Sequence, residues 1–503
     1  MVRAPTETRA LARSSWAYGS APPDAATLAA LAYLALPNLL FVVGWFRWPA
    51  AMTLLFLLYV AARRLPLASA MRHGGAPASR VLFVVVAGMA WAAFSGGAHL
   101  MHADHDWVVR DSVLGELLRN EWPVTYADVG GTGEKPVLLR SAVGYFLPPA
   151  LLGKLAGPEA VPVGVLLWTG LGSALFLALL PLPRRSATAL AAAIALVVMF
   201  SGMDLLGAIL ATGSLPIFPL RLEWWGPLSY PSLTGQLLWA PNHALPAWIG
   251  MALLLRHRDD RHIITMALVV LSLTAIWSPF APLALLPFAL LVAVPHLRRK
   301  GVAALDVPAI AATSLYCIPL ALFLTLDLAS MSAPTLSTGA RGFSVAQQPV
   351  AAADYLLFVC CEFGLLAVAL WRLHGERPRD MLLLGIAILL LLPWFRFGPS
   401  NDLLIRLSAP PLVVLLSCSL SALVCRPPQA TLATWLAWLV LGIGAATAVV
   451  ELWRAASFPR RAPDYQTPLA ARQGGRISAH YAGRLDSAAL HVLLRTPQRG
   501  ADR

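Results

Sequence analysis

Long apolar runs recur along this chain from residue 25 to residue 453, and they constrain its fold more than any other feature. About 20 mostly apolar residues are needed for a helix to cross the hydrocarbon core of a bilayer. The composition agrees, since 58% of the 503 residues are hydrophobic and only 13% are charged. The sequence therefore predicts an all-α fold, a polytopic transmembrane helical bundle in which the bilayer acts as solvent.

Apolar runs bounded by charges, prolines or glycines predict about 13 spans. The predicted spans are 25–46, 49–62, 81–100, 160–181, 187–211, 236–255, 262–277, 280–296, 304–327, 352–371, 380–396, 403–424 and 431–453. One further apolar run, 142–156, contains Pro148 and Pro149 and is not counted as a span. We expect this run to lie along the interface or to be re-entrant.

Lysine and arginine cluster in alternate short loops, which accounts for the net charge of +13 without a nucleic-acid partner. Such loops are typical of the cytoplasmic side. This places residues 1–24 in the cytoplasm, a transmembrane domain at 25–453 with a large outer loop at 101–159, and a polar tail at 454–503 outside. The five cysteines have no metal-ligand spacing, and we expect no disulfide framework.

The side opposite the basic loops is rich in polar and aromatic residues. We expect Trp107, Trp239 and Trp277 to be anchors in the aromatic belt. Asp204 is predicted about two turns inside the end of its helix, and His243 and Arg406 also fall in predicted spans. An ionisable side chain at the middle of a span costs about 2.5–3.5 kcal/mol, so structural pairing and a functional cavity are both open for them.

The simplest arrangement that satisfies these polar residues is one wet cavity on that side. It would offer carboxylates for base or metal chemistry, and arginines suited to bidentate contact with phosphate. The carboxylates are Asp106, Asp111, Asp204 and Glu223, and the arginines are Arg110, Arg396 and Arg406. The sequence has no glycine-rich phosphate-binding loop, so cytosolic nucleotide is not an expected energy source.

The segment from His105 to Asp111, followed by an amphipathic stretch that ends at Trp122-Pro123, resembles the first outer loop of the GT-C glycosyltransferases. The chain also resembles a group of multi-spanning bacterial membrane proteins of poorly defined function. That second resemblance rests on the stretches Asp106-Trp107 with Trp122-Pro123, Tyr145 to Ala150, Phe200 to Asp204, Glu223 to Trp225, Trp239 to Ala244, Trp277 to Phe280, and Asn401-Asp402 with Arg406 and Ser408.

The GT-C resemblance implies an inverting transfer of a sugar from a polyprenyl-phosphate donor to a lipid or polysaccharide acceptor, on the periplasmic face of a bacterial inner membrane. It implies Asp106 as the base, with Asp111 as its substitute. Either arginines or a divalent metal, Mg²⁺ or Mn²⁺, would stabilise the leaving lipid phosphate, and the sequence leaves both alternatives open. The candidate substrate-binding residues are Arg110, Asp204, Glu223, Trp225, His243, Arg396, Asn401, Asp402 and Arg406.

Three other functions stay open. A transporter or flippase would line a pathway with the same buried polar residues, although we find no inverted repeat. A polymerase or ligase of surface polysaccharide would also need carboxylates and arginines beside a lipid phosphate. A non-catalytic assembly subunit would use its tryptophans as partner contacts.

Overall fold

The computed structural model describes residues 24–66, 76–126, 137–183, 186–216, 221–224, 228–326, 344–345, 351–374, 379–397, 401–425, 430–473, 477 and 481–495. The predicted cytoplasmic segment 1–24 lies outside these residues except for Asp24, which caps the first helix. Trp225, a predicted substrate-binding residue, also lies outside them.

The described residues are nearly all helical. In chain order the α-helices are α1 (Ala25–Trp45), α2 (Trp48–Arg63), α3 (Ala78–Ala93), α4 (Asp106–Arg119), α5 (Leu147–Ala156), α6 (Val161–Leu179), α7 (Ala187–Val198), α8 (Asp204–Thr212), α9 (Leu233–Trp239), α10 (Pro241–Arg256), α11 (Ile263–Thr274), α12 (Phe280–Lys300), α13 (Val307–Leu324), α14 (Ala352–Leu373), α15 (Arg379–Leu391), α16 (Asp402–Val424), α17 (Leu432–Ser457), α18 (Leu469–Arg472) and α19 (Ala488–Leu493). The short strands are β1 (Thr125–Tyr126), β2 (Val137–Leu139), β3 (Ser344–Val345), β4 (Phe395–Arg396) and β5 (Ala482–Arg484).

Two of these helices contain a π-helical turn, at Cys360–Gly364 in α14 and at Leu420–Val424 in α16. Short 3₁₀ turns occupy Gly96–Ala98, Gly144–Phe146, Pro158–Ala160, Leu222–Trp224, Gly301–Ala304 and Leu392–Trp394.

Seven helices of the described part are long and apolar enough to cross a membrane, and four more, α2, α3, α7 and α11, are apolar but shorter. The chain is thus a nearly all-α, multi-spanning membrane protein. The predicted number of spans is not confirmed.

The exposed face of α2 illustrates why the bilayer is the solvent. Trp48, Met52, Phe56 and Tyr59 are all more than half exposed and recur at helical spacing, while Ala51 on the opposite face is buried. A large apolar stripe that faces outward is stable in lipid and unstable in water.

The predicted span 187–211 is wrong, because it is two helices, α7 and α8, separated by residues 199–203. A helix end leaves backbone carbonyls unpaired, and they need other donors inside a membrane. Here the Thr234 hydroxyl donates to the Val198 carbonyl at 2.6 Å. The interruption puts Asp204 at the first turn of α8 instead of two turns inside a long helix.

The bundle has two chemically different ends. One end carries the short basic loops, where Arg64 bonds Asp306 at 2.8 Å and Arg258 bonds Asp380 at 2.7 Å. The other, which we call the loop end, carries residues 94–126 and 137–160. Helix α5 has 10 residues there and is therefore about 15 Å long, too short to cross a bilayer. This agrees with the interpretation of 142–156 as a segment that does not span.

The described part of the tail, residues 458–473, 477 and 481–495, which we call the C-terminal segment, also lies at the loop end. Its strand β5 pairs antiparallel with β2, which pairs with β1 to form a three-stranded sheet. The Arg47 guanidinium donates to the Leu494 carbonyl at 2.9 Å. The C-terminal segment is therefore folded against the large loop, through the pairing of β5 with β2.

Candidate functional site

Four predicted site residues and one unpredicted tyrosine meet at the loop end, and we call them the mixed-charge cluster: Asp106, Arg110, Asp402, Arg406 and Tyr481. Helix α4 contributes the first two, and the start of α16 contributes the next two. Asp106 bonds Arg110 at 3.1 Å, and Asp402 bonds Arg406 at 3.4 Å, each one helical turn apart. Arg406 and Tyr481 both lie within the electrostatic range of all the other members.

The members of this cluster differ in their access to solvent. The side chain of Asp106 is 53% exposed, while that of Arg110 is 10% exposed and that of Arg406 is 15% exposed. Among the described residues the Arg406 Nε finds no hydrogen-bond partner. Burial raises the pKa of Tyr481, and the positive charge of Arg110 opposes that shift. The cluster thus combines the accessible carboxylate of Asp106 with the buried guanidinium of Arg406, whose Nε–H makes no hydrogen bond to the described residues.

Asp111 has a different environment from Asp106, although it lies on the same helix. It is 1% exposed, accepts from the His99 Nε2 at 3.1 Å, and is 3.5 Å from the Asp464 amide nitrogen. Burial lowers the pKa of His99, but its hydrogen bond to Asp111 and the carboxylate charge outweigh this, so the net pKa is raised. Asp111 therefore forms an ion pair with the loop residue His99, whose Nδ1 lies 2.9 Å from the Arg461 carbonyl oxygen of the C-terminal segment.

The remaining predicted residues near this cluster have local contacts. The His243 Nδ1 is 2.6 Å from the Ser278 hydroxyl, and its ring packs edge-on against Phe280. The Asn401 side chain accepts from the Phe397 amide at 3.2 Å, next to the start of α16. Arg396 is exposed in β4, where its backbone pairs with Ser344.

The expectation that three tryptophans anchor an aromatic belt is wrong. Trp107 and Trp277 are fully buried, and Trp239 is 7% exposed. Their indole nitrogens donate inside the protein, to the carbonyls of Leu238 and Leu34 and to the carboxylate of Glu451 respectively. A buried indole needs such a partner, so these tryptophans hold helices together instead of contacting lipid.

Four buried carboxyl groups form a second site, which we call the acidic cluster: Asp204, Glu223, Glu362 and Glu451. Each is at most 4% exposed. They come from four separate parts of the chain, the start of α8, the 3₁₀ turn Leu222–Trp224, the π turn of α14, and α17. The structure thus brings the predicted residues Asp204 and Glu223 together, but in a different cluster from Asp106.

Hydroxyl groups satisfy part of the acidic cluster. Asp204 Oδ2 accepts from Ser201 at 3.1 Å and from Thr447 at 2.8 Å. Glu223 Oε1 accepts from both the amide and the hydroxyl of Ser232, at 3.1 and 2.5 Å. Burial raises the pKa of Glu223 well above its ordinary value, and the charges of Glu451 and Asp204 raise it further.

Trp239 connects the two clusters. Its backbone carbonyl accepts from Arg110, and its indole Nε1 donates to Glu451 Oε2 at 3.2 Å. The guanidinium of Arg221 lies over the same indole, 4.9 Å from the ring centre, and also bonds Asp104. One residue at the end of α9 therefore contacts both sites.

A divalent metal was an expectation of the GT-C resemblance. Within the residues that the structure describes, no three histidine, cysteine, aspartate or glutamate side chains are placed to hold a metal ion together. The expectation of Mg²⁺ or Mn²⁺ has no geometric support from these residues, and it stays a prediction.

Several members of these clusters were missed from the sequence. Glu451 carried a usable signal, because an acidic residue inside an apolar span is expected to face a partner or a cavity. Tyr481 and His99 carried none, since both lie in loops and their neighbours are set by the fold of the C-terminal segment.

No protein-family model matches this chain, and neither a curated protein nor a solved structure gives a significant match.

Proposed function

We propose that this protein is a glycosyltransferase of the GT-C type, which transfers a sugar from a polyprenyl-phosphate donor to a lipid or glycan acceptor. The observation that supports it best is the mixed-charge cluster, where the exposed Asp106 carboxylate bonds Arg110 at 3.1 Å and lies within the electrostatic range of Arg406. A base and a phosphate-binding pair are the parts that this transfer needs. The proposal places this end of the bundle on the periplasmic face of a bacterial inner membrane.

The proposed reaction is a single displacement with inversion. Asp106 removes the proton from an acceptor hydroxyl, whose oxygen forms a bond to the anomeric carbon. The bond between that carbon and the phosphate oxygen breaks, and the lipid phosphate leaves with the electron pair. A phosphate is a stable leaving group and needs no general acid, so one accessible carboxylate is enough.

Arg406 and Arg110 would bind the phosphate. Arg406 has an unused Nε donor among the described residues, and its other contact to Asp402 is long at 3.4 Å. A phosphate oxygen at this position would satisfy the buried donor and stabilise the charge that develops on the leaving group. Tyr481 of the C-terminal segment lies within the electrostatic range of both arginines.

Asp106 is a better candidate base than Asp111. A base must reach the hydroxyl proton, and Asp111 is buried and engaged with His99 and the Asp464 amide. We therefore assign Asp111 to positioning α4.

The experiment is incubation of membranes that contain the protein with a radiolabelled polyprenyl-phosphate sugar. We expect wild-type membranes to consume the donor, Asp106→Asn to reduce the rate by about 10²–10⁴-fold, and the exposed control Glu121→Gln to match the wild type. Label that enters vesicles unchanged would contradict transfer. Equal rates for wild type and Asp106→Asn would contradict the assigned base.

Transport is the second candidate function, and the acidic cluster favours it. Buried ionisable residues inside a helical bundle often mark ion or proton pathways. The same experiment separates the two proposals, because a transporter moves the labelled lipid without breaking its bond to the sugar.

A further inference from the structure

The acidic cluster contains one carboxyl group, that of Glu362, which no donor in the described part of the chain reaches. Glu362 is 4% exposed, and among the described residues neither of its carboxyl oxygens has a donor partner. The ionisable group that acts on it most strongly is another acid, Asp204. An ionised carboxylate in this position would be buried without compensation and beside a like charge, which costs several kcal/mol.

Two local features of the fold position the Glu362 side chain near Asp204. Glu362 lies in the π turn Cys360–Gly364, and π turns within helices are frequent at functional sites. The break between α7 and α8 is fixed against this turn, because the Met203 amide donates to the Cys361 carbonyl at 2.9 Å. A Cβ atom at Gly202 would overlap the Glu362 carboxyl group, so glycine leaves the room that this group occupies.

The two carboxyl groups differ in their hydrogen bonds, and the difference decides where a proton would reside. Asp204 accepts from two hydroxyls, those of Ser201 and Thr447, which stabilise its ionised form. Glu362 accepts from none of the described donors. Two adjacent carboxyl groups cannot both ionise, and the one without donors retains the proton.

We propose that Glu362 and Asp204 together form a proton-binding site inside the bundle, with the proton on Glu362 and donated to Asp204. The other titratable groups that act on Glu362 are Glu223 on the 3₁₀ turn, Cys361 on its own helix, and Tyr230 before α9. None of these three is a cation, so a proton is the ligand that balances the charge. The site is separate from the mixed-charge cluster and does not depend on sugar transfer.

This site makes the contact between α14 and the break before α8 dependent on protonation. Loss of the proton would leave two negative charges side by side at the place where the Met203 amide joins the helices. A glutamine at position 362 has an amide that can donate to Asp204, so it imitates the protonated form.

Infrared difference spectroscopy of the purified full-length protein tests the proposal. At neutral pH we expect carbonyl absorption of buried carboxylic acids, which shifts in D₂O. The component that belongs to Glu362 is lost in Glu362→Gln, whereas the full absorption persists in the exposed control Glu121→Gln. Identical spectra for wild type and Glu362→Gln would overturn the proposal. Loss of the band on addition of NaCl at constant pH would also overturn it, because the cluster would then bind a metal cation.

Asp204→Asn keeps the test decisive if Glu362→Gln does not fold. The acceptor for the Glu362 proton would change from a carboxylate to an amide. We therefore expect the acid band to move in frequency, whereas an unmoved band in folded Asp204→Asn would show that the proton is elsewhere.

Discussion

The mixed-charge cluster and the acidic cluster both contain carboxylates, but they balance the charge of those groups in different ways. In the mixed-charge cluster each aspartate has an arginine one helical turn away, and Asp106 reaches solvent. In the acidic cluster the groups are buried, and hydroxyls and an indole are their donors. Ion pairs at an accessible surface can exchange partners with a substrate, whereas buried acids retain protons. The comparison therefore assigns substrate chemistry to the first region and proton binding to the second.

The largest expected effect is on the mixed-charge cluster. Arg406→Met should lower the efficiency of sugar transfer by about 100-fold, because it removes a buried donor from the leaving phosphate. The measurement is the initial rate of sugar transfer in proteoliposomes at a series of concentrations of the polyprenyl-phosphate sugar. Arg460→Met, which changes an exposed arginine of the C-terminal segment, is the matched control. Equal losses in the two variants would mean that net charge, and not this position, sets the rate.

Thr447→Val should lower the stability of the folded protein, because Thr447 bonds a member of the acidic cluster. It removes one of the two hydroxyls that bond Asp204, and the free energy of unfolding should fall by about 1–3 kcal/mol. Thermal unfolding in detergent measures this, with Thr53→Val on the exposed face of α2 as the control. A variant as stable as the wild type would show that Asp204 does not need this donor.

His99 should give the link between α4 and the C-terminal segment a pH dependence. The pKa of His99 is raised in the folded protein above its ordinary value of 6.5, so the protonated form favours folding. The stabilisation is fully present below pH 6.5 and is lost as the pH rises through the folded-state pKa. His99→Gln should be less stable than the wild type by about 1–2 kcal/mol at low pH and should converge with it above that range. A constant difference across the pH range would contradict the ion pair with Asp111.

The smallest expected effect is at the residue that joins the two clusters. Trp239→Phe keeps the backbone carbonyl that accepts from Arg110 but removes the donor to Glu451. We expect a loss of about 1 kcal/mol in the free energy of unfolding and little change in transfer rate. Trp435→Phe on the exposed face of α17 is the control. A large loss of activity would sharpen the comparison by showing that the acidic cluster acts on the other site.

The helices and several site residues could be predicted from the sequence because both depend on local patterns. The apolar run at 25–46 matches α1 (Ala25–Trp45), and the four-residue spacing of Asp402 and Arg406 puts them one helical turn apart. The interruption at 199–203 could not be predicted, because its stability depends on Thr234, which is distant in sequence. The neighbours of Tyr481 could not be predicted either, because they are set by the pairing of β5 with β2.

The most direct test of the central claim is a comparison of donor binding and single-turnover transfer for purified wild type and Asp106→Asn. If Asp106 is the base that deprotonates the acceptor, the variant should bind the polyprenyl-phosphate sugar with an affinity close to that of the wild type, because Arg110 and Arg406 remain. Its single-turnover rate should nevertheless fall by about 10²–10⁴-fold. A variant that binds the donor and transfers the sugar at the wild-type rate would contradict the claim.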